Sequence, residues 1–326
     1  MARGFNPIWR SLSRQSPLIL FAGLCIVFAV ISPEFRNVEN LMSVAYRTSV
    51  IGIMCLGELL VIITAGIDLS VGSVAALASM SACLLMKSMH SANYPTMLTI
   101  FVGLVVGVGC GALCGLINGL LITKGKLPPF IATLGMMMCA RGVTLIISGA
   151  QTIYGLPQSF SWLGGTEKWW IPVSITGGLA IVFAVILAFT RFGRSLYAIG
   201  GNKTATKLSG IRVDLVCTVA YTICGATAGL AGLVLASRTS VADPNAALTY
   251  ELDAIAACVI GGASLMGGEG GAITAIAGAL IIMVLRNFCT IENFNVYWQQ
   301  VFVGVLLVIL VFYDTLRKRL SGQIQD

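Results

Sequence analysis

Six ionisable side chains lie inside or at the edges of long apolar runs: Glu58, Asp68, Arg141, Glu251, Asp253 and Arg286. A charge in such surroundings is costly, and it marks a transport path, a proton relay or an internal pair. A carboxylate near the middle of a membrane that gains and loses a proton would serve proton-coupled transport, and Glu58 has the place for it. Asp68, Glu251 and Asp253 fall near expected helix ends, where capping a first turn accounts for them at lower cost. Asp68, followed by Leu69-Ser70-Val71-Gly72, reads as a helix cap ahead of a direct substrate contact.

Other chemistry is scarce. The sequence has no His-Glu-x-x-His, Gly-x-Ser-x-Gly or dinucleotide fingerprint, so no catalytic residues are assigned. The nearest phosphate-loop lookalike, Gly201-Asn202-Lys203-Thr204, has Asn where a Walker loop needs Gly directly before Lys-Thr. The ten cysteines (Cys25, Cys55, Cys83, Cys110, Cys114, Cys139, Cys217, Cys224, Cys258 and Cys289) all lie in apolar runs without a Cys-x-x-Cys. With the single His90 in a loop, no metal site and no disulfide framework is expected, and the thiols read as small buried hydrophobes.

The elements that position these residues follow from composition. Of 326 residues, 57% are apolar and 10% charged, against roughly 25% charged in a soluble domain. Mean hydropathy is +0.92. Lipid is the solvent such a chain requires, and at about 20 residues per span the length holds at most about a dozen helices. The pattern predicts an all-α, polytopic transmembrane helix bundle of about ten membrane segments: 17–32, 41–64, 70–88, 96–123, 129–148, 171–190, 213–236, 251–264, 270–289 and 297–316. The eighth is short and reads as a partial or broken helix. No stretch is polar and long enough for a separate soluble unit, so residues 1–326 form one transmembrane domain. Arg3, Arg10 and Arg14 precede the run from Pro17 to Ile31, which ends at Ser32-Pro33-Glu34-Phe35 without a cleavage site; a retained first helix is expected.

The net charge of +7 is an orientation signal rather than a nucleic-acid footprint, because the basic residues sit in short segments between apolar runs. Thirteen of the twenty fall on inner segments, among them Lys124, Lys126, Arg191, Arg194, Lys203 and Lys207. Five (Arg36, Arg47, Lys87, Lys168 and Arg238) fall on outer segments or their flanks, and Arg141 and Arg286 fall within spans. Both termini are therefore expected in the cytoplasm. Glycines at intervals of three or four (Gly103, Gly107, Gly111; Gly225, Gly229, Gly232) predict close helix packing. Of three longer loops, the outer 149–170 carries Trp162, Trp169 and Trp170, which read as headgroup anchors. The outer 237–250 holds Asp243-Pro244 and could face an external partner, and the inner 191–212 is basic and glycine-marked.

Four segments, in order over residues 40–290, carry a family resemblance. Ile63-Thr64-Ala65-Gly66-Ile67-Asp68-Leu69-Ser70-Val71-Gly72-Ser73 is the first, and Pro129-Phe130-Ile131-Ala132-Thr133-Leu134 with Arg141-Gly142 the second. Gly200-Gly201-Asn202 to Leu208-Ser209-Gly210-Ile211 is the third. The fourth runs from Tyr250-Glu251-Leu252-Asp253 through Gly261-Gly262 to Leu265-Met266-Gly267-Gly268. Together they resemble the permease subunits of ribose-type (monosaccharide) ABC importers, the family of ribose, allose, xylose, arabinose and galactose permeases.

The resemblance implies a transporter subunit of the bacterial inner membrane, not an enzyme, that moves an aldopentose or aldohexose such as ribose or allose. ATP and Mg would be bound by a partner ATPase with two fused nucleotide-binding halves, so this chain needs no cofactor. A periplasmic sugar-binding protein would deliver the sugar, and a second permease chain, identical or a sister, would complete the pore. The family's ATPase-coupling element falls on Gly201, Asn202, Lys203, Ala205, Lys207, Leu208, Ser209, Gly210 and Ile211. Ala205 and Leu208 would seat in a groove while Lys203, Lys207 and Arg212 meet acidic rims. Ala205-Thr206 stands where the family often has two alanines. Candidate translocation-path residues are Glu58, Asp68, Asn118, Arg141, Thr144, Ser148 and Gln151.

Overall fold

The computed structural model describes residues 7–320; Arg3, counted above, lies outside them. Twelve α-helices follow one another: α1 Pro7–Ile31, α2 Val38–Ile63, α3 Val71–Ser91, α4 Thr96–Thr123, α5 Pro129–Ser148, α6 Trp170–Phe189, α7 Arg191–Gly201, α8 Lys203–Leu208, α9 Val213–Thr239, α10 Tyr250–Ile260, α11 Ala272–Ile291 and α12 Val296–Leu320. Each of the ten expected segments coincides with a helix. Among the described residues, seven helices (α2 to α6, α9 and α11) are long and apolar enough to cross a membrane. Helix α10 has 11 residues and reaches about 16 Å, half of a ~30 Å hydrocarbon core, as its short apolar run foretold.

Local sequence sets the boundaries. Helix α5 opens on Pro129, whose missing N–H costs nothing at a first turn, and stops at Gly149 in the left-handed conformation (φ 60°). The side chain of Thr190 accepts from Gly193 N–H at 3.1 Å to start α7, and that of Asn202 accepts from Ala205 N–H at 2.9 Å to start α8.

Helix α2 is the axis of the bundle, buried continuously from Thr48 to Ile63 against α9, α10, α11 and α6. Helices α4 and α9 form the closest pair through the glycines read from the sequence. A methyl group at Gly111 would strike the Gly225 carbonyl, and one at Gly229 would strike Gly107. Dispersion between backbones holds this contact, because lipid offers no hydrophobic drive for helices to associate. Helix α1 lies outside, on α11, where Phe28 stacks on Phe288 at 4.0 Å.

Two irregular segments enter the bundle from one end: 64–70 between α2 and α3, and 261–271 between α10 and α11. Non-helical backbone survives at membrane depth where protein buries it and meets its polar groups. At the opposite end, the 149–170 loop pairs with the segment after α9 through reciprocal Ile153–Ala242 backbone bonds of 2.8 and 3.1 Å.

Candidate coupling and translocation site

The basic segment 191–212 folds into α7 and α8, a bent pair at the end where α2 finishes. Helix α7 buries Gly193, Leu196 and Ile199 and leaves its basic side out. In α8 every residue but Thr206 is exposed (Lys203, Thr204, Ala205, Lys207 and Leu208), and Leu208 is 85% exposed. Thr206 faces inward. Its hydroxyl donates to the carbonyls of Ala198 and Asn202, both at 2.8 Å, and so ties α8 back to α7. The departure from two alanines thus changes the anchored side of α8 and leaves the exposed side intact.

Behind α7, three stretches of the signature series meet backbone to backbone. Gly200 lies so close to the Ile63 carbonyl and Gly268 N–H that a side chain there would overlap both. Gly268 N–H donates to the Ile63 carbonyl at 2.9 Å, and the Tyr197 hydroxyl donates to the Gly270 carbonyl at 2.8 Å. Gly267 and Gly268 have φ of 85° and 75°, a conformation that favours glycine. The result is a joint between α7, the end of α2 and the loop leading into α11. With no side chains between them, these backbones are packed directly on one another.

Beyond the joint, segment 64–70 folds back beside α2, and its polar groups form a sealed cluster. The Glu58 carboxylate accepts from Asp68 N–H at 3.0 Å and from Cys224 Sγ at 3.5 Å. Asp68 Oδ1 accepts from Ser70 N–H at 2.9 Å and from Ser70 Oγ at 2.6 Å. Asn118 of α4 donates to Ser70 Oγ at 3.0 Å. Glu58 and Asn118 are 0% exposed and Asp68 1%. Asp68 thus holds the turn that leads into α3, while the cap position of that helix falls on Ser70 rather than on Asp68, where the sequence alone suggests it. Neither carboxylate has a cationic partner among the described residues; donors from the 64–70 segment and from α9 meet them instead. The cluster fastens α2, α3, α4 and α9 around the irregular segment.

The other end carries the remaining charges. Asp253 lies in the first turn of α10, as the sequence suggested, and also pairs with Arg286 of α11 at 2.7 Å. Its partner lies 33 residues away, so no local pattern could show it. The pair lines a cavity of about 150 Å³ together with Arg47, Arg238, Tyr250 and Gln299. A neighbouring hollow of about 220 Å³ includes Ser79, Thr239, Asp243 and Tyr250. Arg141 donates to the Pro244 and Ala246 carbonyls at 2.7 and 3.0 Å, and so pins the segment between α9 and α10 to α5.

Comparison with known proteins places these features in one group. A family profile described as a branched-chain amino acid transport system / permease component matches residues 40–311. The chain is 37% identical over 318 residues to the ribose import permease protein of Escherichia coli (strain K12), covering 96% of both. It is 40% identical over 314 residues to that of Haemophilus influenzae, covering 94% of both. It belongs to the family of sugar ABC importer permeases. The D-allose transport system permease protein of Escherichia coli (strain K12) is 37% identical over 308 residues, 93% of this chain and 92% of that one. No solved structure matches. The chain is accordingly a multi-pass protein of the bacterial inner membrane and a transporter component, not an enzyme.

Of the permease's seven candidate path residues, Glu58, Asp68 and Asn118 converge in the sealed cluster. Arg141 sits apart as a clamp. Thr144 is buried and donates to the Ala140 carbonyl at 2.7 Å within its own helix, Ser148 donates to Leu145 at 3.3 Å, and Gln151 is exposed. None of the seven lines either cavity. Sequence reasoning passed over Ser70, Cys224 and Tyr197, whose partners lie far along the chain, and Thr206, whose role depends on how α8 folds back on α7. Arg47 and Arg238 were counted only as orientation signals; two arginines retained on the outer flanks against the prevailing bias were the available hint.

Proposed function

We propose that this permease moves a monosaccharide, an aldopentose or aldohexose such as ribose or allose, across the inner membrane by ATP-driven alternating access. Helix α8 docks in a groove of an ATPase that has two fused nucleotide-binding halves and binds the ATP and Mg. Residues 201–203, 205 and 207–211 form the docking surface. A periplasmic sugar-binding protein delivers the sugar at the opposite end, a second permease chain completes the pore, and both termini lie in the cytoplasm. The observation that carries this reading is the exposed α8 backed by the Gly200–Ile63–Gly268 joint. A push on α8 is passed through backbone to α2, the axis of the bundle, and to the loop entering α11. Closure of the ATPase on ATP would bias one arrangement of that joint over the other, which is the differential interaction a conformational cycle needs.

The test is affinity purification of the tagged chain in mild detergent, with co-purifying proteins identified by mass spectrometry. Recovery of a double-cassette ATPase, lost in Leu208→Glu while the permease stays folded, is the expected result. A co-isolated binding protein is then screened against sugars and against leucine, isoleucine and valine, since the family profile's description names the latter class. A transport-competent preparation without any ATPase would overturn the proposal and turn attention to ion coupling through Glu58.

A further inference from the structure

Two opposite charges stand partly exposed near the middle of the bundle, away from both cavities. Arg141 is the thirteenth of the twenty residues of α5, about 18 Å along a helix of about 30 Å, and so near the centre of a ~30 Å hydrocarbon core. It lies within electrostatic reach of Glu251 and Asp243, with no ion-pair contact to either among the described residues. Glu251, in the first turn of α10, is seated against Gly72 in the first turn of α3, where a side chain would overlap the carboxylate. The partial positive charge of that helix end favours an ionised acid. The chain arrives there through strained backbone, with Ala247 and Thr249 at φ of 54° and 69°. Residues other than glycine seldom hold that conformation, and it collects at functional sites. Both charged residues are partly exposed. Leu252, next to Glu251, and Met138, one turn before Arg141, are 51% and 66% exposed. A charge left partly open at that depth faces a water-filled space rather than lipid.

We infer that Arg141 and Glu251 line the sugar's path at mid-membrane and hold its hydroxyls in transit, on the face that a second copy of this chain completes into a pore. The inference rests on the reading of the chain as half of a sugar permease. A carboxylate only accepts hydrogen bonds and a guanidinium only donates them. Together they meet both the hydrogen and the oxygen of sugar hydroxyls with charge-assisted contacts. Their opposite signs offset each other, so a neutral monosaccharide passes without leaving a lone charge behind. Arg141 Nη1 makes both bonds to the Pro244 and Ala246 carbonyls, which leaves Nη2 and Nε for a cargo. The same bonds tie Arg141 to the segment that leads into Glu251, so one element positions both groups. Glu58 and Asp68 have no such access, at 0% and 1% exposed.

The experiment uses the full-length chain, with the ATPase that co-purifies, in phosphatidylcholine nanodiscs. A charged, membrane-impermeant methanethiosulfonate is the probe, and mass spectrometry locates each modified cysteine. A thiol reacts as its thiolate, which needs water. Leu252→Cys, beside Glu251, is expected to react. Ile181→Cys, at the middle of α6 and 66% exposed in the wild type, is expected to stay unmodified. A Leu252→Cys as inert as Ile181→Cys, with and without ATP, overturns the inference. Uptake into proteoliposomes is measured at saturating binding protein with D-ribose, D-allose and their monodeoxy analogues. Glu251→Gln should slow the parent sugar roughly tenfold, the loss of one charge-assisted contact. It should slow least the analogue that lacks the hydroxyl Glu251 holds, and Glu251→Asp should recover part of the rate. No slowing, or equal slowing of parent and analogues, reduces Glu251 to a structural part and also overturns the inference. The permease reading is judged separately. A reactive Leu252→Cys in a chain that recovers no ATPase and moves neither sugar unseats that reading, and ATP-driven uptake with an inert Leu252→Cys unseats this one.

Discussion

The two ends of this permease solve the cost of polar groups in a membrane by opposite means. At the α8 end, Gly200, Ile63 and Gly268 pack backbone on backbone, and peptide groups satisfy one another with no side chain between. At the other end, charged side chains line a cavity, and two of its arginines have no carboxylate within ion-pair distance among the described residues. A joint of bare backbone has no room to yield, so displacement of one strand displaces the next. A cavity of charges has room, and its energy depends on what fills it. Stiffness of the backbone joint suits transmission from a partner.

The comparison can be broken at the charged end first. Asp253→Ala leaves the partly buried Arg286 without its acid, and a loss of about 3 kcal/mol, the low end for a buried pair, is expected. Thermal unfolding in detergent measures it, and Asp253→Asn combined with Arg286→Gln should restore most of it. A double variant no better than Asp253→Ala would show that the pair is not a unit. The joint gives the next effect. Gly200→Ala forces a methyl group into the Ile63 carbonyl and Gly268 N–H, with an expected loss of about 1–3 kcal/mol. ATP hydrolysis in the reassembled complex should persist while substrate uptake falls, because the strain lies between docking surface and bundle. Uptake falling only in proportion to folded protein would reduce the joint to simple packing. Glu58→Gln sharpens the contrast from between the two ends. The amide oxygen can still accept from Asp68 N–H, so stability should change by about 1 kcal/mol or less and uptake should stay insensitive to a proton gradient. An uptake that becomes gradient-independent only in this variant would assign Glu58 to ion coupling.

Much of the architecture was legible in the chain. The ten apolar runs became helices because hydropathy is a local property, and in lipid each backbone must close its hydrogen bonds within its own segment. The α4–α9 contact was legible as well, since glycines at intervals of four mark a flat helix face whatever it meets. The candidate site was legible in part. Motif residues 63–73, 200–211 and 250–268 were picked out, and Asp68 was placed close ahead of a helix, though the cap position itself falls on Ser70. The partner of Asp253, the burial of Thr206 and the grouping of Glu58 with Ser70, Asn118 and Cys224 were not legible, because each joins residues on separate helices.

The sequence by itself determined that the chain lives in lipid, where its helices run and which family it belongs to. These follow from composition and order, which act at the range of a few turns. Only the tertiary structure decided that Gly200 meets Ile63 and Gly268, that Asn118 reaches Ser70, and that Arg47, Arg238 and Arg286 face one cavity. Such contacts depend on how rigid helices rotate and slide against each other, and that is fixed by the packing of the whole bundle rather than by any stretch of it.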